Sequence, residues 1–229
     1  MGKDHIKRLN APKTWQILRK DSKYVIKPVP GPHKLELAMP LGVILKETLN
    51  QASTTKEVKK ILLSGEIKID GVTRKDFRFP VGIFDTIDLA NSNEHFRVVL
   101  NQKGHISLIK INKEEASFKP CKIMGKTMVN GKLQLNLYDG KSIIVDKNAY
   151  KVGDTIMLSL PDHKISKHLK LEKKSSIMLT GGRHIGEIGN VDDVIEKKVI
   201  YKDEKSNLVQ TSKEYAFVVG ENKPLIRLG

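Results

Sequence analysis

One stretch constrains the fold more tightly than any other: Thr54 to Gly71, reading TTKEVKKILLSGEIKIDG. Thr54 is placed to cap a helix, and Glu57, three residues on, to bond back to it as a capping box. Val58, Ile61 and Leu62 then share one helical face, while Lys56, Lys59 and Lys60 share the opposite one. Gly65 can take the left-handed conformation that ends a helix. Ile67 and Ile69 alternate with Glu66 and Lys68 as in a half-buried strand, and Asp70-Gly71 supplies the positive φ angles of a type I′ turn. The segment must be core on one side and a row of ammonium groups on the other.

What such a row is for depends on charge. The 229 residues carry 41 basic and 26 acidic side chains, a net charge of +15, and a pI near 9.7. That excess points to a polyanionic partner, nucleic acid first and an anionic membrane surface second. With 39% hydrophobic and 5% aromatic residues, several small modules fit better than one large enzyme domain. The charge is uneven: residues 1–40 hold nine basic and three acidic groups, whereas 41–90 are nearly neutral. In that second segment the basic residues matter because they cluster. The single cysteine, Cys121, excludes an internal disulfide and a cysteine-based zinc cluster. The opening MGKDHIKRLN has no apolar signal region, and no apolar run approaches the roughly 18 residues of a membrane span. A cytoplasmic location with no membrane contact is expected.

Residues 1–40 are proline-punctuated (Pro12, Pro28, Pro30, Pro32, Pro40) and read as a basic extended arm that orders only on assembly and is not needed for folding. Trp15 either anchors that arm to the protein's own surface or stacks on a base or sugar. Leu41 to Gln51 is predicted as a first helix, and Ile83 to Leu89 as a strand; together with the stretch above they make a domain over 41–93. From Glu94 to about residue 173 the pattern is β: Phe96 to Leu100 and Ile106 to Ile111 flank a four-residue loop. Asn130-Gly131 and Asp139-Gly140 read as two further type I′ turns, and Leu133, Leu135 and Leu137 alternate between them. Residues 174–229 form a third module around TGGRHIGEIGNV, Thr180 to Val191, where Gly182, Gly186 and Gly189 permit a tight irregular turn.

Helix, glycine, strand and Asp-Gly turn together resemble the αL-type RNA-binding motif of ribosomal proteins and RNA-modifying enzymes, with Thr54-Thr55 where that family often has Ser-Arg. The glycine turn resembles the KOW motif of small SH3-like barrels. The stretch PGPHKL, Pro30 to Leu35, and the closing GENKPLIRLG are similar to a small-subunit ribosomal protein family of archaea and eukaryotes, the S-four-e family. That family's order is also seen here: basic arm, αL domain, central domain, KOW domain. The fold implied is α+β and multidomain, an αL-type helix–hairpin domain followed by two small mostly-β modules, the last an SH3-like KOW barrel.

The function implied is that of a structural constituent of the small ribosomal subunit that binds ribosomal RNA, touches neighbouring ribosomal proteins, and is a monomer outside the ribosome. The candidate RNA contacts are Lys7, Arg8, Lys13, Arg19 and Lys34 in the arm. Lys56, Lys59 and Lys60 follow on the helix, with Lys68, Arg74 and Lys75 flanking the hairpin. Arg183 and His184 lie in the glycine turn, where His184 reads equally as a turn residue with no role. Gly65, Gly71, Gly182, Gly186 and Gly189 are candidate structural turns. No cofactor is expected: the glycine run has neither the dinucleotide fingerprint nor a P-loop lysine. His163 and His168 have no metal-ligand spacing, and a lone Cys121 reads as packing. The competing readings are an RNA-modifying enzyme carrying an αL domain, for which no catalytic constellation is present, and a non-ribosomal RNA-binding factor or RNA chaperone built from the same modules.

Overall fold

The computed structural model describes residues 4–146, 149–203 and 207–228. It is mostly β with few helices, and divides into two compact units, residues 1–99 with 105–117, and residues 100–104 with 118–229.

In the first unit the Thr55–Ser64 helix forms as its sequence requires. Glu57 N–H donates to Thr54 Oγ1 at 3.2 Å, and Glu57 Oε2 accepts from the backbone of Thr54 at 3.2 Å and of Ser53 at 2.8 Å. Those backbone donors hold the Glu57 carboxyl below its usual range. Val58 and Leu62 are buried, and Gly65 closes the helix at φ 80°. Ile67–Ile69 and Val72–Thr73 pair across the Asp70-Gly71 turn, whose φ angles of 51° and 76° are those of type I′. The sheet order runs Val72–Thr73, Ile67–Ile69, Thr86–Leu89, Glu94–Leu100, Ile106–Ile111. The last two strands, expected to open the central module, therefore extend the first unit's sheet; Thr86↔Arg97 and Leu89↔Glu94 fix the register.

Two predicted elements change shape. The helix from Leu41 ends at Thr48, with one α turn at Leu41–Val43 and a wider turn at Ile44–Thr48, and Asn50 at φ 51° stops it. The predicted Ile83–Leu89 strand is broken by Phe84, buried at φ 68°. As a result Pro80–Gly82 pairs with Ala38–Pro40, while Thr86–Leu89 pairs with Ile67–Ile69.

The largest correction concerns the arm. Residues 5–40 pack into the first unit. His5–Lys7 and Tyr24–Ile26 pair as a small sheet. Trp15 is 1% exposed, and its indole N–H donates to Ala38 O at 2.7 Å. Buried His33 lies 3.0 Å from both Asp85 carboxylate oxygens. The reason is that the partners of Trp15 and His33 lie 23 and 52 residues away in sequence, so the segment's order comes from long-range contacts and not from any local period.

The second unit contains two sheets. One has the order Ser142–Val145, Lys132–Leu137, Phe118–Val129, Thr155–Ser159, Ile165–Leu169. Its core gathers Cys121, Ile123, Leu135, Leu137, Ile156 and Leu158, so the cysteine is packing. The Asn130-Gly131 turn is type I′, with φ angles of 49° and 76°. Asp139-Gly140 is not: only Gly140 has positive φ, and its N–H donates to Leu137 O at 3.1 Å, so the loop is a type I turn closed by a left-handed glycine. Asp139 has a different task. Lys119 Nζ sits 3.3 Å and Lys141 Nζ 3.2 Å from its Oδ2, with the Lys119 and Asp139 side chains almost wholly buried. Burial opposes ionisation of Asp139, but the two ammonium groups outweigh it and hold the carboxyl below its usual range.

Asp139→Asn is therefore expected to destabilise the chain by about 3 kcal/mol at neutral pH, because it takes an ionised partner from the buried Lys119 ammonium. A group with a depressed folded pKa contributes stability above its unfolded value, roughly pH 4, and loses it as pH falls through the folded value. The gap between wild type and variant in urea unfolding should thus narrow on acidification. A gap that widens would contradict the pairing.

The other sheet has the order Leu208–Ser212, Lys198–Asp203, Ile188–Ile195, Ser175–Leu179, Ala216–Glu221, Lys223–Pro224, all antiparallel. Lys122, on the first sheet, donates to the carbonyls of Lys213, Glu214 and Ala216 at 2.6–3.0 Å, tying this sheet's Ser212–Ala216 turn to the other. Burial pushes its ammonium pKa down to about 8.

Candidate nucleic-acid interface

Lys56, Lys59 and Lys60 are all exposed on the capped helix, opposite buried Val58 and Leu62. Beside them runs the segment Arg74 to Phe79, held by four backbone hydrogen bonds. Arg74 N–H donates to Ile67 O (3.3 Å), Val29 N–H to Arg78 O (3.0 Å), Leu41 N–H to Phe79 O (2.9 Å) and Gly42 N–H to Phe77 O (2.7 Å). Lys59 Nζ lies 4.8 Å from the centre of the Phe77 ring, with the Arg78 guanidinium 5.9 Å from the same ring. The Arg74 guanidinium lies 4.4 Å from the centre of Phe79. Helix, hairpin and segment thus present one surface, on which aromatic rings hold cationic groups in place. Lys68 and Lys75 are exposed.

Sequence reasoning missed Phe77, Phe79 and Arg78. The alternation of aromatic and basic residues in RKDFRFP, Arg74 to Pro80, carried the signal.

The arm candidates divide. Lys7, Lys13 and Lys34 are exposed. Arg8 is 3% exposed and forms a forked ion pair with Glu47, with further bonds to Leu18 O (2.7 Å) and Ser22 Oγ (2.9 Å). Arg19 donates to the carbonyls of Arg8, Ala11 and Pro12 at 2.7–3.2 Å. Both guanidiniums are consumed inside the protein. Their stems sit in the arm's own packing, and a charge there needs internal acceptors.

In the second unit Arg183 is exposed, whereas His184 Nδ1 is 2.8 Å from Glu187 Oε1, and Glu187 Oε2 accepts from Tyr201 OH at 2.9 Å. That carboxylate pins the imidazole. Gly182 and Gly186 have φ angles of 85° and 84°, as a tight turn requires. Gly189 does not; there the missing side chain makes room for Lys202 O and the Tyr201 ring, each 2.5 Å from where a Cβ would stand. Among the described residues no group of three or more His, Cys, Asp or Glu is arranged to hold a metal, and no helix is long and apolar enough to cross a membrane.

Comparison with known proteins bears on what this surface serves. Residues 92–165 match the model described as Ribosomal family S4e, and residues 1–36 match the RS4NT (NUC023) domain. A small ribosomal subunit protein eS4 of Methanocella arvoryzae is 41% identical over 233 residues, covering 98% of this chain and 97% of the relative. The chain belongs to ribosomal family S4e. A second S4e relative, the small ribosomal subunit protein eS4 of Archaeoglobus fulgidus, is 43% identical over 238 residues, covering 98% of both chains. The crystal structure of the 30S ribosomal protein S4e from Thermoplasma acidophilum superposes with a TM-score of 0.71 at 30% identity, over 84% of this chain and 99% of that one. The likeness to this S4e structure agrees with the multi-sheet, mostly-β architecture, and the family resemblance seen in PGPHKL is borne out. Within that stretch His33 has a structural part, fastening the arm to Asp85.

Proposed function

We infer that the chain is a structural constituent of the small ribosomal subunit that binds ribosomal RNA and performs no catalysis. The observation that carries this is the exposed lysine row of Thr55–Ser64 beside the pinned, ring-stacked segment Arg74–Phe79, in a chain whose relatives over nearly their whole length are small-subunit proteins. The helix and hairpin act as an αL-type RNA-binding unit, and residues 174–229 as a KOW-type module presenting Arg183 at its glycine turn. Recognition is by shape and phosphate: ammonium and guanidinium groups displace counterions from the RNA backbone, while the rigid platform sets orientation. The deep groove of A-form RNA is closed to side chains, so base reading there is not part of the mechanism. Neighbouring ribosomal proteins meet the remaining surface; the chain is a monomer away from the ribosome and works in the cytoplasm.

Sedimentation of endogenous protein tests this. The chain should co-migrate with small subunits through a high-salt gradient, as an integral component does. Release into the light fractions at high salt would make it a dissociable RNA-binding factor instead.

A further inference from the structure

We propose that Arg74 is the fixed phosphate anchor of this interface, gripping one backbone phosphate through its planar guanidinium while the lysines act as point charges. The proposal rests on the RNA-binding reading above. The first unit has five arginines. Arg8 pairs with Glu47, Arg19 with backbone carbonyls, Arg78 with Asp4 and Asp76, and Arg97 with Glu115. Arg74 alone meets no carboxylate or carbonyl among the described residues, although it is half-buried and its Nε is wholly out of solvent. A guanidinium stripped of part of its water and given no internal acceptor is a cost the fold does not otherwise recover. Stacking on Phe79 offsets some of it and fixes the plane of the fork. The backbone bonds at Arg74, Phe77, Arg78 and Phe79 fix the segment itself. Asp76, the nearest carboxylate in sequence, is engaged by the backbone N–H and Nε of Arg78. What remains is a rigid cationic fork with open valence, suited to two oxygens of a phosphate.

The test measures equilibrium binding of the full chain to a small-subunit ribosomal RNA transcript over a salt series, with thermal melts to confirm folding. Arg74→Lys keeps the charge and loses the fork. It should bind about tenfold more weakly with an unchanged salt slope. Arg74→Gln keeps a planar end without charge, and should bind at least as weakly with a slope shallower by about one. If Arg74→Lys binds like wild type, a point charge suffices and the anchor is overturned. If Arg74→Gln keeps both affinity and slope, Arg74 lies off the interface. Lys56, Lys59 and Lys60 changed together to Ala, measured in parallel, separate the two levels. A shallower slope there with Arg74→Lys unaffected overturns the anchor alone; no slope change in any variant overturns the RNA-binding surface with it.

Discussion

Deleting residues 1–36 is expected to abolish cooperative folding of the first unit. The deletion removes Trp15, whose loss alone costs about 4 kcal/mol as a fully buried indole. It also takes Arg8 away from Glu47, and breaking a buried ion pair by removing one partner costs about 3 kcal/mol or more; the buried hydrogen bond between His33 and Asp85 goes with it. These losses together reach the whole stability of an ordinary domain, about 5–15 kcal/mol. The shortened chain should therefore expose apolar surface and lose its melting transition for this unit. A deletion variant that melts within a few degrees of the full chain would show that the segment lies on the surface without supporting it.

Gly186→Val should be the most damaging single substitution in the second unit. Gly186 has φ 84°, which a β-branched residue rarely tolerates, and a Cβ there would stand 1.9 Å from Asn101 O. Side-chain rotation cannot relieve that overlap, because the obstacle is backbone. Positive-φ strain of about 1–3 kcal/mol adds to overpacking of about 1–3 kcal/mol, so a loss near 4 kcal/mol is expected. Gly131→Ala separates the two effects: Gly131 has φ 76° but nothing within 4 Å of an added Cβ. It should cost only about 1 kcal/mol. Equal melting temperatures for Gly186→Val and wild type would remove the close approach from the account.

The contrast between the legible and the hidden parts of this fold follows interaction range. Thr54, Glu57, Gly65 and Asp70-Gly71 act on neighbours within four residues, so cap, stop and turn could be read from the sequence directly. Trp15 and His33 are buried by residues 23 and 52 positions away, and a proline-rich basic segment has no local period to announce that. Arg8 and Lys7 look alike in the sequence, yet one is a forked core fastener and the other exposed; the positions of Glu47, Leu18 O and Ser22 separate them. Asp139-Gly140 matched a turn dipeptide, but Lys119 and Lys141 claim the aspartate and the loop closes differently. At the interface the helix and its lysines were legible. Arg74 was legible as a basic residue beside the hairpin, but its stacking on Phe79 and its lack of internal acceptors were hidden, because both depend on the folded surroundings.

The central claim is that the lysine face of Thr55–Ser64 contacts RNA phosphates. Its most direct measurement is the salt dependence of binding to small-subunit ribosomal RNA for the Lys56, Lys59 and Lys60 triple-alanine variant. Lysine and alanine are both good helix formers, and all three side chains are exposed, so the variant should melt as wild type does. Substituting exposed Asp192 and Glu196 elsewhere controls for net charge. Affinity should fall across fragments without a change in which is preferred, and the slope of log K against log salt should become shallower by roughly two to three if each lysine neutralises one phosphate. A folded triple variant with the wild-type slope would contradict the claim and place the RNA contact on another face.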